Sequence, residues 1–206
     1  SKFNYKKNWF LITNPKKLTF KYINSIKPKY IFFPHWSYKV NSKITQNFDC
    51  ICFHETDLPY GRGGSPIQNL ILRHHKTTVI CALKMIDILD AGPIYLKRKL
   101  RLDGNAQKIF ERASKIIFKM IETIVKKEIL PKRQRGKVVK FKRLKKQNSE
   151  ISKKILSLKD LYNHIRMLDA KSYPVGYINY GNLRIEFKKA KLCKKSISSS
   201  VNIKLL

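Results

Sequence analysis

Cys50-Ile51-Cys52-Phe53-His54 is an unbroken apolar run that stops at a histidine. A strand buried on both faces reads this way, without the polar alternation of a strand that has one wet face. The next stretch is Glu55-Thr56-Asp57-Leu58-Pro59-Tyr60-Gly61-Arg62-Gly63-Gly64-Ser65-Pro66. Its glycines and prolines predict a long irregular loop. Outward from there, Tyr30-Ile31-Phe32-Phe33 before Pro34 is a second buried strand, expected to be parallel. Between the two strands, Pro34-His35-Trp36-Ser37-Tyr38 is an aromatic loop suited to a flat ligand. Upstream, Trp9 to Thr13 reads as a strand that turns at Asn14-Pro15. Leu18, Phe20, Ile23 and Ile26 then give a short amphipathic helix closed by Pro28.

Downstream, Ile67 to Leu72 reads as a helical turn or two. Thr77 to Met85 is strand-like, and Ile94 to Leu96 resumes as a strand after Asp90-Ala91-Gly92-Pro93. The strongest helix runs from about Asn105 to Lys127. Its apolar positions, from Ala106 through Ile109, Ala113, Ile117 and Ile121 to Ile124, form one stripe. Asn105 serves as N-cap, and Lys126 and Lys127 suit the negative C-terminal end. Strands alternating with helices predict an α/β fold with a small, mostly parallel sheet. Composition shifts at Leu130, which sets a core at 1–130 and a C-terminal extension at 131–206. The extension opens with a basic stretch and continues with a helix over about Leu158–Leu168. A hairpin follows, in which Tyr177–Tyr180 and Leu183–Phe187 flank Gly181-Asn182, and then a weakly strand-like tail.

The chain has 206 residues, with 45 Lys+Arg against 13 Asp+Glu and a formal net charge of +32. At 43% hydrophobic residues it is no disordered chain. The charge alone points to nucleic acid. The basic residues are spread over nearly the whole chain, however, and abundant Ile, Asn and Lys is also the bias of an AT-rich genome, so nucleic acid ranks below other partners. The cluster Lys132, Arg133, Arg135, Lys137, Lys140, Lys142, Arg143, Lys145 and Lys146 reads as a solvated surface, with a nucleotide phosphate or RNA as the other reading. No apolar run is long enough to span a membrane, and Ser1 to Lys7 lacks the core of a signal peptide. Cys50, Cys52, Cys81 and Cys193 form no disulfide framework, which favours a reducing, cytoplasmic setting.

Chemistry concentrates at two places. His54 ends one strand, and Asp90 follows another. A His and an Asp at neighbouring strand ends make an acid/base pair, because imidazole exchanges a proton near neutral pH and a carboxylate can orient it. The Gly61-Arg62-Gly63-Gly64-Ser65 loop suits a pyrophosphate through backbone N–H groups and the guanidinium. It lacks the Lys-Ser/Thr of a P-loop, so an NTPase is rejected. Cys50, Cys52 and His54 alternate on one strand face, but the spacing fits no common zinc pattern, and no metal is expected.

In combination these motifs resemble the formyltransferases that use 10-formyltetrahydrofolate. That family ends a strand in Asn-x-His, continues into a Leu-Pro-x-x-x-Gly loop and carries an Asp-x-Gly some thirty residues later. His54, Leu58-Pro59-Tyr60-Gly61-Arg62-Gly63 and Asp90-Ala91-Gly92 stand in that order. Pro131 and Gln134 match a Pro-x-x-Gln feature, and the resemblance spans about residues 30 to 140. It implies a Rossmann-like formyltransferase core with an abbreviated N-terminal half and a short C-terminal helix and β-hairpin extension. It implies His54 and Asp90 as catalytic residues, with Phe33, Pro34, His35, Trp36, Leu58 and Asp87 against the folate. Gly61, Arg62, Gly63, Gly64 and Ser65 would then hold a sugar nucleotide. One departure is marked: the family's Asn, which helps hold the formyl oxygen, is Cys52. The resemblance leaves that oxygen to Asn69, Gln68 or Thr56, or implies weakened activity.

The short tail resembles that of nucleotide-sugar N-formyltransferases. The implied reaction moves the formyl group of 10-formyltetrahydrofolate to a nucleotide-linked amino sugar, for surface polysaccharide or glycan, in a possible homodimer. The alternatives are formylation of initiator methionyl-tRNA, and a basic RNA-binding protein on a degenerate scaffold.

Overall fold

The computed structural model describes residues 9–171 and 173–206, so the reading of Ser1 to Lys7 lies outside the described residues. In chain order the elements are α1 (Phe20–Ile26), β1 (Ile31–Phe33), α2 (Ser42–Asn47), β2 (Cys50–His54), β3 (Tyr60–Gly63) and α3 (Pro66–Leu72). Then come β4 (Thr77–Lys84), β5 (Ile94–Arg101), α4 (Ala106–Lys127), β6 (Val139–Phe141), α5 (Leu158–Leu168), β7 (Gly176–Tyr180), β8 (Leu183–Leu192) and β9 (Ile197–Leu205).

The main sheet has the order β1-β2-β4-β5. β1 and β2 run parallel, with Phe33 opposite Cys52. The expectation of a mostly parallel sheet is corrected beyond that pair. β2 with β4, and β4 with β5, are antiparallel. A parallel return from β4 to β5 would need a crossover of about a dozen residues or more, and the Met85–Pro93 link is too short for one. Trp9 to Thr13 is not a strand. The Trp9 ring stacks on Phe32 at 6.3 Å and Ile12 packs beside Ile23 and Phe33, while Phe10 and Leu11 stay exposed.

Both central strands are buried on both faces, which explains their unbroken apolar runs. Ile51 and Phe53 of β2 and Ile80 and Ala82 of β4 join one core with the α4 stripe of Ile109, Ala113, Ile117 and Ile124. On the opposite face Cys50 packs with Ile23, Val40 and Ile44, while Cys81 and Leu83 pack with Leu58. α4 starts where Asn105 accepts a hydrogen bond from the Lys108 N–H. It stops at Glu128, whose φ of 48° is left-handed.

The basic stretch is not simply a solvated surface. Val139–Phe141 forms β6, which pairs in parallel with β3, and Phe141 is buried. Gly63 and the following Gly64 make this approach possible. A Cβ on Gly63 would lie 2.4 Å from the Phe141 carbonyl oxygen, and Gly63 has φ +112°. A Cβ on Gly64 would lie 2.4 Å from Cβ of Arg143.

The predicted helix and hairpin are both present in the C-terminal part, as α5 and as β7–β8 around Gly181. The tail pairs as a third strand, giving a sheet of order β7-β8-β9. Ser157 caps α5 by accepting from the Asp160 N–H. The buried Arg166 donates to the carbonyls of Leu102 and Gly104, just before α4. Asp169 accepts from the Asn105 side chain, so α5 is tied to the start of the core helix.

Candidate active site

His54 is the last residue of β2, and its ring is held at both nitrogens. Nε2 lies 2.8 Å from the carbonyl oxygen of Gly61, an acceptor only, so Nε2 carries the proton and donates. Nδ1 lies 3.6 Å from Oδ2 of Asp90. Both side chains are almost fully enclosed. Nδ1 is therefore the ring nitrogen turned toward the Asp90 carboxylate. The same Oδ2 accepts a 2.8 Å bond from the Gly63 N–H. Asp90 reaches this place from the Met85–Pro93 link, which folds back beside β2 with Asp90 at φ 55°.

Gln134 completes the arrangement. Its Nε2 donates to the carbonyls of Asp90 and Gly92, at 2.8 Å each. Its Oε1 accepts from Nε and Nη2 of Arg62, at 3.2 and 2.7 Å. The sequence marked Gln134 only as part of a motif; its role as the link between two loops depends on the fold. Glu55 was missed altogether. Its buried carboxylate lies 3.6 Å from Nδ1 of His35. Nothing in the local sequence signals this pair.

The other expected residues divide into two groups. Phe33 and Leu58 are core residues, 4% and 1% exposed, and their rings and methyls are spent on packing. His35 turns onto α4, with Nε2 3.3 Å from the Ser114 hydroxyl and its ring edge-on to Phe110. Trp36 packs edge-on against Phe33 and Tyr38, and its buried Nε1 has no partner among the described residues. Pro34 and Asp87 are exposed. In the Gly61–Ser65 loop, expected to cradle a pyrophosphate, the Gly63 N–H bonds Asp90 and the Gly64 N–H bonds the Phe141 carbonyl. Arg62 is turned onto Gln134, and the Ser65 hydroxyl accepts from the Leu144 N–H.

The three candidates to stand in for the family's Asn are likewise committed. Asn69 donates to the carbonyls of Gly64, Ser65 and Lys142 and accepts from Arg73. Gln68 reaches the Met167 carbonyl, and the Thr56 hydroxyl points to that of Gly61. Cys52 itself lies under the pair. Burial above all, and then the Asp90 charge, push its thiol up to about 12, so it stays protonated. Among the described residues no group of three His, Cys, Asp or Glu side chains could hold a metal ion. No helix among them is long and apolar enough to cross a membrane.

A mixed sheet under one long helix thus carries a strand-end His that faces an Asp from a neighbouring link. Residues 146–204 match the family model described as the methionyl-tRNA formyltransferase C-terminal domain. A solved structure, a methionyl-tRNA formyltransferase from Clostridium thermocellum, superposes with a TM-score of 0.91 and 47% identity. That match covers 94% of this chain and 86% of the other. The chain belongs to the formyltransferase family. A methionyl-tRNA formyltransferase from Mesoplasma florum is 28% identical over 94% of this chain and 64% of its own. A sugar N-formyltransferase from a Shewanella species shares the fold, with a TM-score of 0.69 and 17% identity over 85% of this chain and 76% of its own. The chain spans 50% and 64% of the length of the first two curated relatives it matches.

Proposed function

We propose that the chain transfers the formyl group of 10-formyltetrahydrofolate to the amino group of an initiator methionyl-tRNA. The observation that carries the chemistry is the enclosed His54–Asp90 pair, 3.6 Å apart. The choice of acceptor rests on likeness: a 47% identical solved relative and the model matched by residues 146–204 both bear the methionyl-tRNA formyltransferase name. This displaces the amino-sugar reading, which the inward-turned donors of the Gly61–Ser65 loop also disfavour.

The residues fit a folate donor. Ile88 and Leu89, 67% and 71% exposed, offer apolar contact to a flat pterin next to Asp90. The donor supplies a formyl carbon bonded to nitrogen N10. The acceptor amine forms a new C–N bond to that carbon, the N10–C bond breaks, and the proton lost by the amine goes to N10. Asp90 takes and returns that proton. His54, tied to Gly61 through Nε2, faces that carboxylate with Nδ1 and orients it. No covalent enzyme intermediate is needed.

The test offers 10-formyltetrahydrofolate with charged initiator tRNA, beside a panel of UDP-, dTDP- and GDP-linked amino sugars, and follows released tetrahydrofolate by absorbance. Turnover is expected with the tRNA. Turnover with an amino sugar alone overturns the acceptor. No turnover with any acceptor, while RNA still binds, overturns the enzymatic reading in favour of an RNA-binding scaffold.

A further inference from the structure

We propose that Gln134 is the positioning residue of the reaction pair, the group that holds Asp90 at its working distance from His54. The proposal rests on the reading of His54 and Asp90 as the reaction centre. Asp90 occupies a left-handed conformation, φ 55°, which Asp tolerates better than most residues but still at some cost. Two features hold it there. On one side Gly92 is pressed against β4, where a Cβ would come within 1.7 Å of the Lys84 carbonyl oxygen. On the other, the carbonyls of Asp90 and Gly92 both accept from the single amide nitrogen of Gln134.

The other end of the amide is anchored by the Arg62 guanidinium. Arg62 adjoins Gly63, whose N–H bonds the very carboxylate that faces His54. One side chain thus fixes both the backbone and, through β3, the carboxylate of Asp90. Only an amide meets these demands, because the position must donate two N–H bonds to carbonyls and accept from a guanidinium. Glu at this place would set a carboxylate against two carbonyl oxygens. At 3.6 Å the His54–Asp90 contact sits just outside hydrogen-bond range, so a shift of a fraction of an ångström makes or breaks it.

The experiment uses the full chain with Gln134→Glu, which keeps the shape, and Gln134→Met, which keeps the bulk without the bonds. Far-UV circular dichroism checks that each is folded. Two readouts are taken: kcat and KM for 10-formyltetrahydrofolate, and the imidazole nitrogen resonances of His54, assigned with His54→Ala. Loss of position should lower kcat on the order of a hundredfold with KM little changed. It should also move the His54 Nδ1 resonance toward that of Asp90→Asn. A merely structural role would leave that resonance in place. A folded variant with wild-type kcat and a wild-type His54 resonance overturns the proposal. If neither variant folds, Arg62→Ala, which frees only the far end of the amide, is read the same way. If the wild-type chain formylates no acceptor, the proposed function fails, while the His54 resonances still decide the role of Gln134.

Discussion

His54 and Asp90 are the residues on which the proposed chemistry turns. Removing one preorganised electrostatic group from such a site costs roughly 2.7–4 kcal/mol. His54→Ala and Asp90→Asn should therefore each lower turnover at least about a hundredfold while the fold survives. A folded variant with near-normal turnover would take that residue out of the mechanism. Cys52 invites the opposite experiment. Its protonated thiol is a weak donor, and Asn69, Gln68 and Thr56 are spent on nearby carbonyls. Cys52→Asn would supply an amide donor where the family's Asn stands, and turnover should rise about tenfold or more. Unchanged turnover in a folded Cys52→Asn would mean that another group already supports the formyl oxygen.

At the scale of elements, the β3–β6 pair and α5 are the parts most open to test. Gly63 lets Phe141 pass, so Gly63→Ala forces both a clash with backbone and a strained φ. A loss of roughly 2–4 kcal/mol is expected in urea unfolding. A loss within about 0.5 kcal/mol, the range of ordinary surface substitutions, would show that β6 can move aside. α5 carries a pH dependence of its own. Burial holds the His164 imidazole below its ordinary 6.5, only partly offset by its bond to the Ser149 carbonyl. Below 6.5 the unfolded chain takes up a proton that the folded chain refuses, so this group costs stability as pH falls and costs nothing above that value. The urea midpoint should drop between about pH 7.5 and pH 5.5, and His164→Gln should flatten that part of the slope. An equal drop in His164→Gln would assign the effect to other groups.

For the whole molecule, the governing quantity is the net charge of +32. Lys132, Arg133, Arg135 and Lys137 are exposed on either side of the half-buried Gln134. A polyanionic acceptor can therefore lie along the segment that joins the basic surface to the reaction pair. Binding of initiator tRNA should weaken steeply and linearly in a plot of log affinity against log salt, as counterion release requires. Folate binding should barely respond. A flat tRNA plot would remove the basic surface from acceptor recognition and leave the charge as a matter of composition.

Much of this protein is written in short-range pattern. The apolar run of Cys50 to Phe53, the stripe of α4 from Ala106 to Ile124, and the Gly181-Asn182 turn each follow from local burial period or local backbone freedom. His54 and Asp90 were marked by their order along the chain, and the fold brings them to 3.6 Å. Long-range pairing settled the rest. Strand direction beyond β1 and β2 depends on which neighbour each strand meets, and a run such as Thr77 to Lys84 reads alike in either direction. The placing of β6 on β3 brings together residues some eighty apart, and no local period of Val139-Lys140-Phe141 announces it. The same holds for the donors of Asn69, Arg62 and Gly63. Their types suggested ligand contacts, but a hydrogen-bonding group serves whichever partner the tertiary structure sets before it, and here those partners are carbonyls and carboxylates of the chain itself.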